Sequence, residues 1–167
     1  MHSIEWPAEY LPGLTDNFVS NEIIVAGLTV AAVWEKLIDT RAWPTYYDNV
    51  SGIRFYDDGG PCLTGGSRFR FTTFGFPVEA EVVEFEPPAE GYPARIAWHG
   101  WVEGDEKQRL DVHHAWLIES LPQGRVRLLT QETQRGQPAR DLSHARPNPM
   151  LNKHQDWIEG LALATRG

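Results

Sequence analysis

The chain has 167 residues, 41% of them hydrophobic, and a formal net charge of −8. That length suits one domain able to bury a core, and an acidic balance with no Lys/Arg-rich run argues against nucleic acid or an anionic membrane surface as partner. The single cysteine, Cys62, excludes an internal disulfide and offers no cysteine cluster for zinc or iron–sulfur chemistry.

Residues 1–16, "MHSIEWPAEYLPGLTD", show no clear period and read as an extended arm laid across the body through Trp6, Tyr10 and Leu11. The arm lacks the basic segment and apolar core of a secretory signal, and no apolar run approaches membrane-spanning length. The expectation is a soluble protein of a reducing compartment, the cytoplasm. "NFVSNEIIVAG" is β-branched and predicts a strand. The period then changes: Val30, Val33, Trp34, Leu37 and Ile38 recur at helical spacing behind Thr29 as N-cap. "RAWPTYYDNV" predicts a short helix or loop broken by Pro44.

Six strand-like segments follow: "VSGIRFYDD", "SRFRFTTF", "FPVEAEVVEFE", "PARIAWHGWVE", "QRLDVHHAWLIES" and "RVRLLTQETQR". The short turn signals between them predict antiparallel pairing. The chain closes on a long helix with Asn148 as N-cap and Pro149 at its first position. Met150, His154, Trp157, Ile158, Leu161 and Thr165 share one face of it, and Lys153, Asp156 and Glu159 the other. Seven strands in one sheet leave an apolar face for that helix to cover.

The adjacent histidines of "LDVHHAWLIE" must point to opposite faces of their strand. Leu110, Val112, His114, Trp116 and Ile118 form the more apolar set and predict the inward face, which leaves His113 and, in the strand before, His99 facing solvent. A three-residue "PQG" turn pairs Ile118 with Leu128, Trp116 with Thr130 and His114 with Glu132. A turn near residue 105 in the preceding hairpin sets Trp98 beside Val112 and Ile96 beside His114. One inner wall then collects Ile96, Trp98, His114, Trp116, Thr130 and Glu132, with His154 and Trp157 above it, and Phe71, Ile158 and Leu161 complete the expected lining. An apolar wall with a small polar cluster is the usual make-up of a ligand pocket. A buried His–Glu pair is also an ordinary structural hydrogen bond, and His114 and Glu132 are the candidates for acid–base work if there is any. His114, Glu132 and His154 suit a metal by type, but their spacing follows no local motif, so neither metal nor cofactor is expected.

The order strand, helices, six strands, long helix resembles the helix-grip fold of the START-like (SRPBCC) superfamily, in its polyketide cyclase/dehydratase-like branch. The resemblance covers about residues 17–166 and rests on "AAVWEKLIDTRAWPTYYDNV", with its tryptophan before a helix break, and on "HAWLIESLPQGRVRLLTQETQRG", with its glycine-bearing turn and following Thr and Glu. It implies an α+β fold, a seven-stranded antiparallel sheet wrapped around the C-terminal helix. It also implies a deep, mostly apolar cavity between them, bordered by the segment after the first helix; Trp43, Tyr46 and Tyr47 would form its gate. The function implied is binding of a small hydrophobic or aromatic molecule. The alternatives are a cyclase/dehydratase-like enzyme in the same cavity and a partner-protein module of the chaperone-activator kind. The sequence is silent on oligomeric state.

Overall fold

A computed structural model describes every residue from Met1 to Gly167. The strands are β1 (Asn17–Ala26), β2 (Val50–Phe55), β3 (Arg68–Thr73), β4 (Phe76–Glu86), β5 (Ala94–Val102), β6 (Leu110–Leu121) and β7 (Arg125–Arg135). The helices are α1 (Val30–Ile38), α2 (Trp43–Tyr46), α3 (Gln137–Ser143) and α4 (Pro149–Arg166). All seven strands join one antiparallel sheet in the order β1-β7-β6-β5-β4-β3-β2. From β2 to β7 each strand pairs with the next in sequence, a meander, and β1 closes it by pairing with β7. This is the α+β helix-grip arrangement. No helix is long and apolar enough to cross a membrane.

The helix caps follow the local chemistry. Thr29 Oγ1 accepts from the Ala32 N–H at 3.1 Å, and Asn148 Oδ1 accepts from the Met150 and Leu151 N–H groups at 3.0 and 3.3 Å, each satisfying first-turn donors that have no intrahelical partner. Pro44 does not break α2. It stands in the helix's first turn, where a missing N–H removes no helical bond. Helix α3 has no counterpart in the sequence reading.

The β6–β7 register is as the turn predicts: Ile118 opposes Leu128, Trp116 opposes Thr130 and His114 opposes Glu132. The β5–β6 register is corrected by two residues, with Trp98 opposite His114 and Ile96 opposite Trp116. The loop is the cause. Asp105 Oδ1 accepts from the Lys107 and Gln108 N–H groups, and Arg109 N–H donates to Asp105 O at 2.8 Å. That turn keeps residues 107–109 out of the ladder and starts β6 at Leu110. A slip of two preserves which face each side chain occupies.

The concave face packs on α4 through Met150, His154, Trp157, Ile158 and Leu161, all buried. The backbones of α2 and α4 touch: a Cβ added at Gly160 would lie 2.2 Å from the Tyr46 carbonyl oxygen. The convex face is covered too. Ile4 joins Ala97, Ala115, Leu117 and Leu129 in a second apolar cluster, with Trp6 against it. Polar contacts hold the arm down. Arg95 Nη1 donates to Ser3 O at 2.9 Å, Arg127 Nη1 to His2 O at 2.7 Å, and Thr133 Oγ1 to Tyr10 O at 2.7 Å. The Glu119 carboxylate accepts from the His2 N–H and contacts its ring. His113 therefore does not face solvent: it is 2% exposed, stacked on Tyr10 at 5.8 Å and met by the tilted ring of Trp6 at 5.6 Å. His99 is half-buried, with Nδ1 3.2 Å from the Tyr10 hydroxyl.

Candidate functional site

Four elements converge at the middle of the concave face. Strand alternation turns Ile96 and Trp98 of β5, His114 and Trp116 of β6, and Thr130 and Glu132 of β7 inward together. Helix α4 lowers His154 and Trp157 onto them, three residues apart and so on one face. All eight are buried. The rings meet directly: Trp157 lies 5.4 Å from Trp116, 6.1 Å from Trp98, 5.5 Å from His114 and 5.1 Å from Trp43. Phe71, Ile96, Ile158 and Leu161 belong to the same core.

The gate residues separate. Trp43 is core, its indole N–H donating to Leu37 O at 2.7 Å. Tyr47 is buried and stacks on Trp157 at 4.5 Å and 18°, and its hydroxyl accepts from the Asn49 amide at 2.9 Å. Tyr46 is half-buried. Burial raises both phenols above their ordinary range. Outside this segment Lys153 Nζ reaches Asp48 Oδ1 at 3.3 Å, tying α4 to the turn after α2. Aromatic rings thus meet across the sheet–helix interface. Two open surface clefts of about 660 and 650 Å³ lie elsewhere, one beside Thr29, Tyr92 and Glu119, the other beside Phe18, Arg146 and Leu151.

The polar centre is specific in its protons. His114 Nε2 is 2.8 Å from Thr130 Oγ1, and that hydroxyl donates to Ala115 O at 3.1 Å. The hydroxyl has one proton, so Nε2–H is the donor to Thr130 and Nδ1 is left with a lone pair. Glu132 Oε1 faces Nδ1 across 3.4 Å. Burial raises the Glu132 carboxyl to about 8, opposed by a hydrogen bond from Gln134; near pH 7 it is mostly neutral. Burial, with the neighbouring imidazoles His154 and His113, drives His114 well below its ordinary value, and burial alone lowers His154 to about 4. The centre is therefore an uncharged cluster of two imidazoles and one carboxylic acid. His114, Glu132 and His154 each offer a ligand-type atom, all within 4.8 Å of one another.

Two further residues complete it. Gln134 Nε2 donates to Glu132 Oε2, and Asn17 Nδ2 donates to Gln134 Oε1 at 2.9 Å, which fixes the Gln134 amide. Gln134 shares the parity of Glu132, a signal present in the sequence. Asn17 has none, because β1 joins β7 from the far end of the chain. Six buried side-chain polar atoms lack a well-formed hydrogen bond: Trp116 Nε1 and His154 Nδ1 at this centre, Trp157 Nε1 and Tyr46 Oη, which approach each other, and Asn21 Oδ1 and His113 Nε2 away from it. Unpaired buried donors are costly and rare.

The architecture is that of the helix-grip, SRPBCC-like fold. The chain belongs to the same family as hypothetical protein jhp0584 from Helicobacter pylori: the two are 48% identical over 99% of this chain and 97% of that one, and the structures superpose with a TM-score of 0.94. More distant structures share the fold alone. The di-domain ARO/CYC protein BexL of the BE-7585A biosynthetic pathway is 14% identical, with 90% of this chain matching 45% of that one at a TM-score of 0.59. Protein CV1439 from Chromobacterium violaceum is 14% identical over 90% of this chain and 99% of that one, with a TM-score of 0.61. No family model and no curated protein matches the chain.

Proposed function

We propose that the protein binds a small hydrophobic or aromatic molecule between the sheet and α4, with its polar end at His114, Glu132 and His154. The observation that carries this is the pair of unpartnered buried polar atoms, Trp116 Nε1 and His154 Nδ1, set in an otherwise aromatic wall. A ligand oxygen satisfies the indole N–H that the protein leaves unpaired, and apolar burial supplies the bulk of the affinity at about 25 cal/mol per Å². The rings are closed on one another, so entry requires the segment after α1 to open. The opening proposed is Tyr47 leaving the face of Trp157 and Asp48 leaving Lys153.

Native mass spectrometry of the protein purified from its own host tests this. A single organic adduct per chain is expected. Tyr47→Ala should speed association and dissociation of an apolar fluorescent probe in stopped flow more than it lowers the urea midpoint. A bare mass for the wild type, with no probe binding by wild type or Tyr47→Ala, refutes the reading.

A second reading has one observation behind it. A neutral Glu132 held beside a neutral His114 is an acid and a base in one dry site, the pairing that proton transfer to or from a bound carbonyl compound uses. The fold likeness to the ARO/CYC protein BexL agrees with a cyclase-type enzyme at the level of architecture only. Turnover of an aromatic polyketide-like substrate that falls with Glu132→Gln would favour this reading over simple binding.

A further inference from the structure

We propose that His114, Glu132 and His154 bind one divalent transition-metal ion of the zinc class. The proposal goes beyond the small-molecule reading and does not require it, because an ion occupies the gap between the side chains and needs no cavity.

Three observations meet. The first is the gap itself. The Nδ1 lone pair of His114 and Glu132 Oε1 face each other at 3.4 Å. That is longer than a good hydrogen bond between a carboxyl O–H and a ring nitrogen. It matches the edge of a tetrahedron whose metal–ligand bonds are about 2.0–2.1 Å, which is roughly 3.3–3.4 Å.

The second is the outer layer. A metal-bound imidazole normally gives its other N–H to a fixed acceptor, and a ligating carboxylate is itself hydrogen-bonded. His114 gives Nε2–H to Thr130, and Glu132 receives Gln134, which Asn17 holds in place.

The third is His154. It is 3% exposed, and its Nδ1 has no hydrogen-bond partner. Its ligand-type atom is within 4.8 Å of the other two. The two imidazoles lie face to face at 4.5 Å and 7°, and imidazole lone pairs lie in the ring plane. Parallel rings cannot share an ion, so one ring must turn. Thr130 pins His114, whereas His154 Nδ1 has no hydrogen-bond partner; His154 is the ring that swings in. Two imidazoles and one carboxylate leave a fourth position for an oxygen ligand.

The full chain is unfolded in urea and refolded with excess CoCl2 or ZnCl2, so that slow entry to a buried site cannot hide binding. Surplus metal is then removed on a desalting column. One ion per chain is expected, with the visible absorption of four-coordinate cobalt. Glu132→Gln and His154→Gln should each lose the ion, with far-ultraviolet dichroism confirming that at least one of them folds. Thr130→Val should keep it with affinity weakened about 10–100-fold, as loss of an outer-layer partner does. A metal-free wild type after refolding overturns the proposal. So does equal metal content in wild type and a folded Glu132→Gln or His154→Gln, which would assign the ion to exposed histidines such as His2 and His144.

Discussion

The two faces of the sheet carry adjacent histidines, His114 and His113, each 2% exposed, and bury them by opposite means. On the concave face the cover is α4, a helix that satisfies its own backbone and spends its side chains on apolar contact. On the convex face the cover is an arm with no regular structure beyond one turn at Ala8–Tyr10. An irregular segment brings unpaired N–H and C=O groups to the surface it covers, and these need partners. Arg95, Arg127, Glu119 and Thr133 supply them. The comparison teaches that a sheet can be buried by an element without period, provided charged side chains on its outer face receive the backbone.

If the concave face is a fully packed core, Trp157→Ala should cost about 3–5 kcal/mol in a urea melt, the largest effect expected. A clearly smaller loss together with altered apolar-dye binding would mark Trp157 as ligand-lining. Full destabilisation with unchanged dye binding would remove it from the site.

The convex cluster is smaller and its cover looser. Ile4→Ala should cost about 2 kcal/mol, the low end for a buried aliphatic truncation, and should raise hydrogen exchange at the arm while leaving α4 protected. Equal exposure of both faces would mean that the arm and α4 unfold as one unit and would erase the distinction.

The subtlest effect is in pH. Burial raises the Glu119 carboxyl, but the hydrogen bonds from His2 and Arg127 together outweigh it, and Glu119 titrates below the ordinary glutamate range. A carboxyl depressed in the folded state stabilises above its unfolded pKa, roughly 4.3–4.5. That contribution is lost as pH falls through the lower folded value. Arm attachment, read from Trp6 fluorescence, should therefore weaken at acid pH below the ordinary carboxylate range. Glu119→Gln should flatten that dependence; an unchanged profile would show that another group controls it.

These differences track what the sequence reveals. The inward set of β6, the β6–β7 register and the inner face of α4 are legible because period and turn length are local properties. The pairing of His114 with Glu132 follows from them directly. His113 is a different matter. Its parity is legible, but its burial depends on Trp6 and Tyr10 arriving from an arm with no pattern to read. The β5–β6 register slips by two because Asp105 closes a side-chain turn inside the loop. Helix α3, with Pro138 at its start and few apolar residues, carries no amphipathic signal. The orienting partner Asn17 is invisible for a topological reason: only the closure of β1 onto β7 brings it to Gln134.

The contact at Gly160 constrains how α2 and α4 can move against each other. With the Tyr46 carbonyl seated where a side chain would otherwise stand, α2 can neither press closer to α4 nor slide along it past the flanking side chains. A side chain at position 160 would wedge the two helices apart, so Gly160→Ala should loosen the stacking of Tyr47 on Trp157 as well as lower stability.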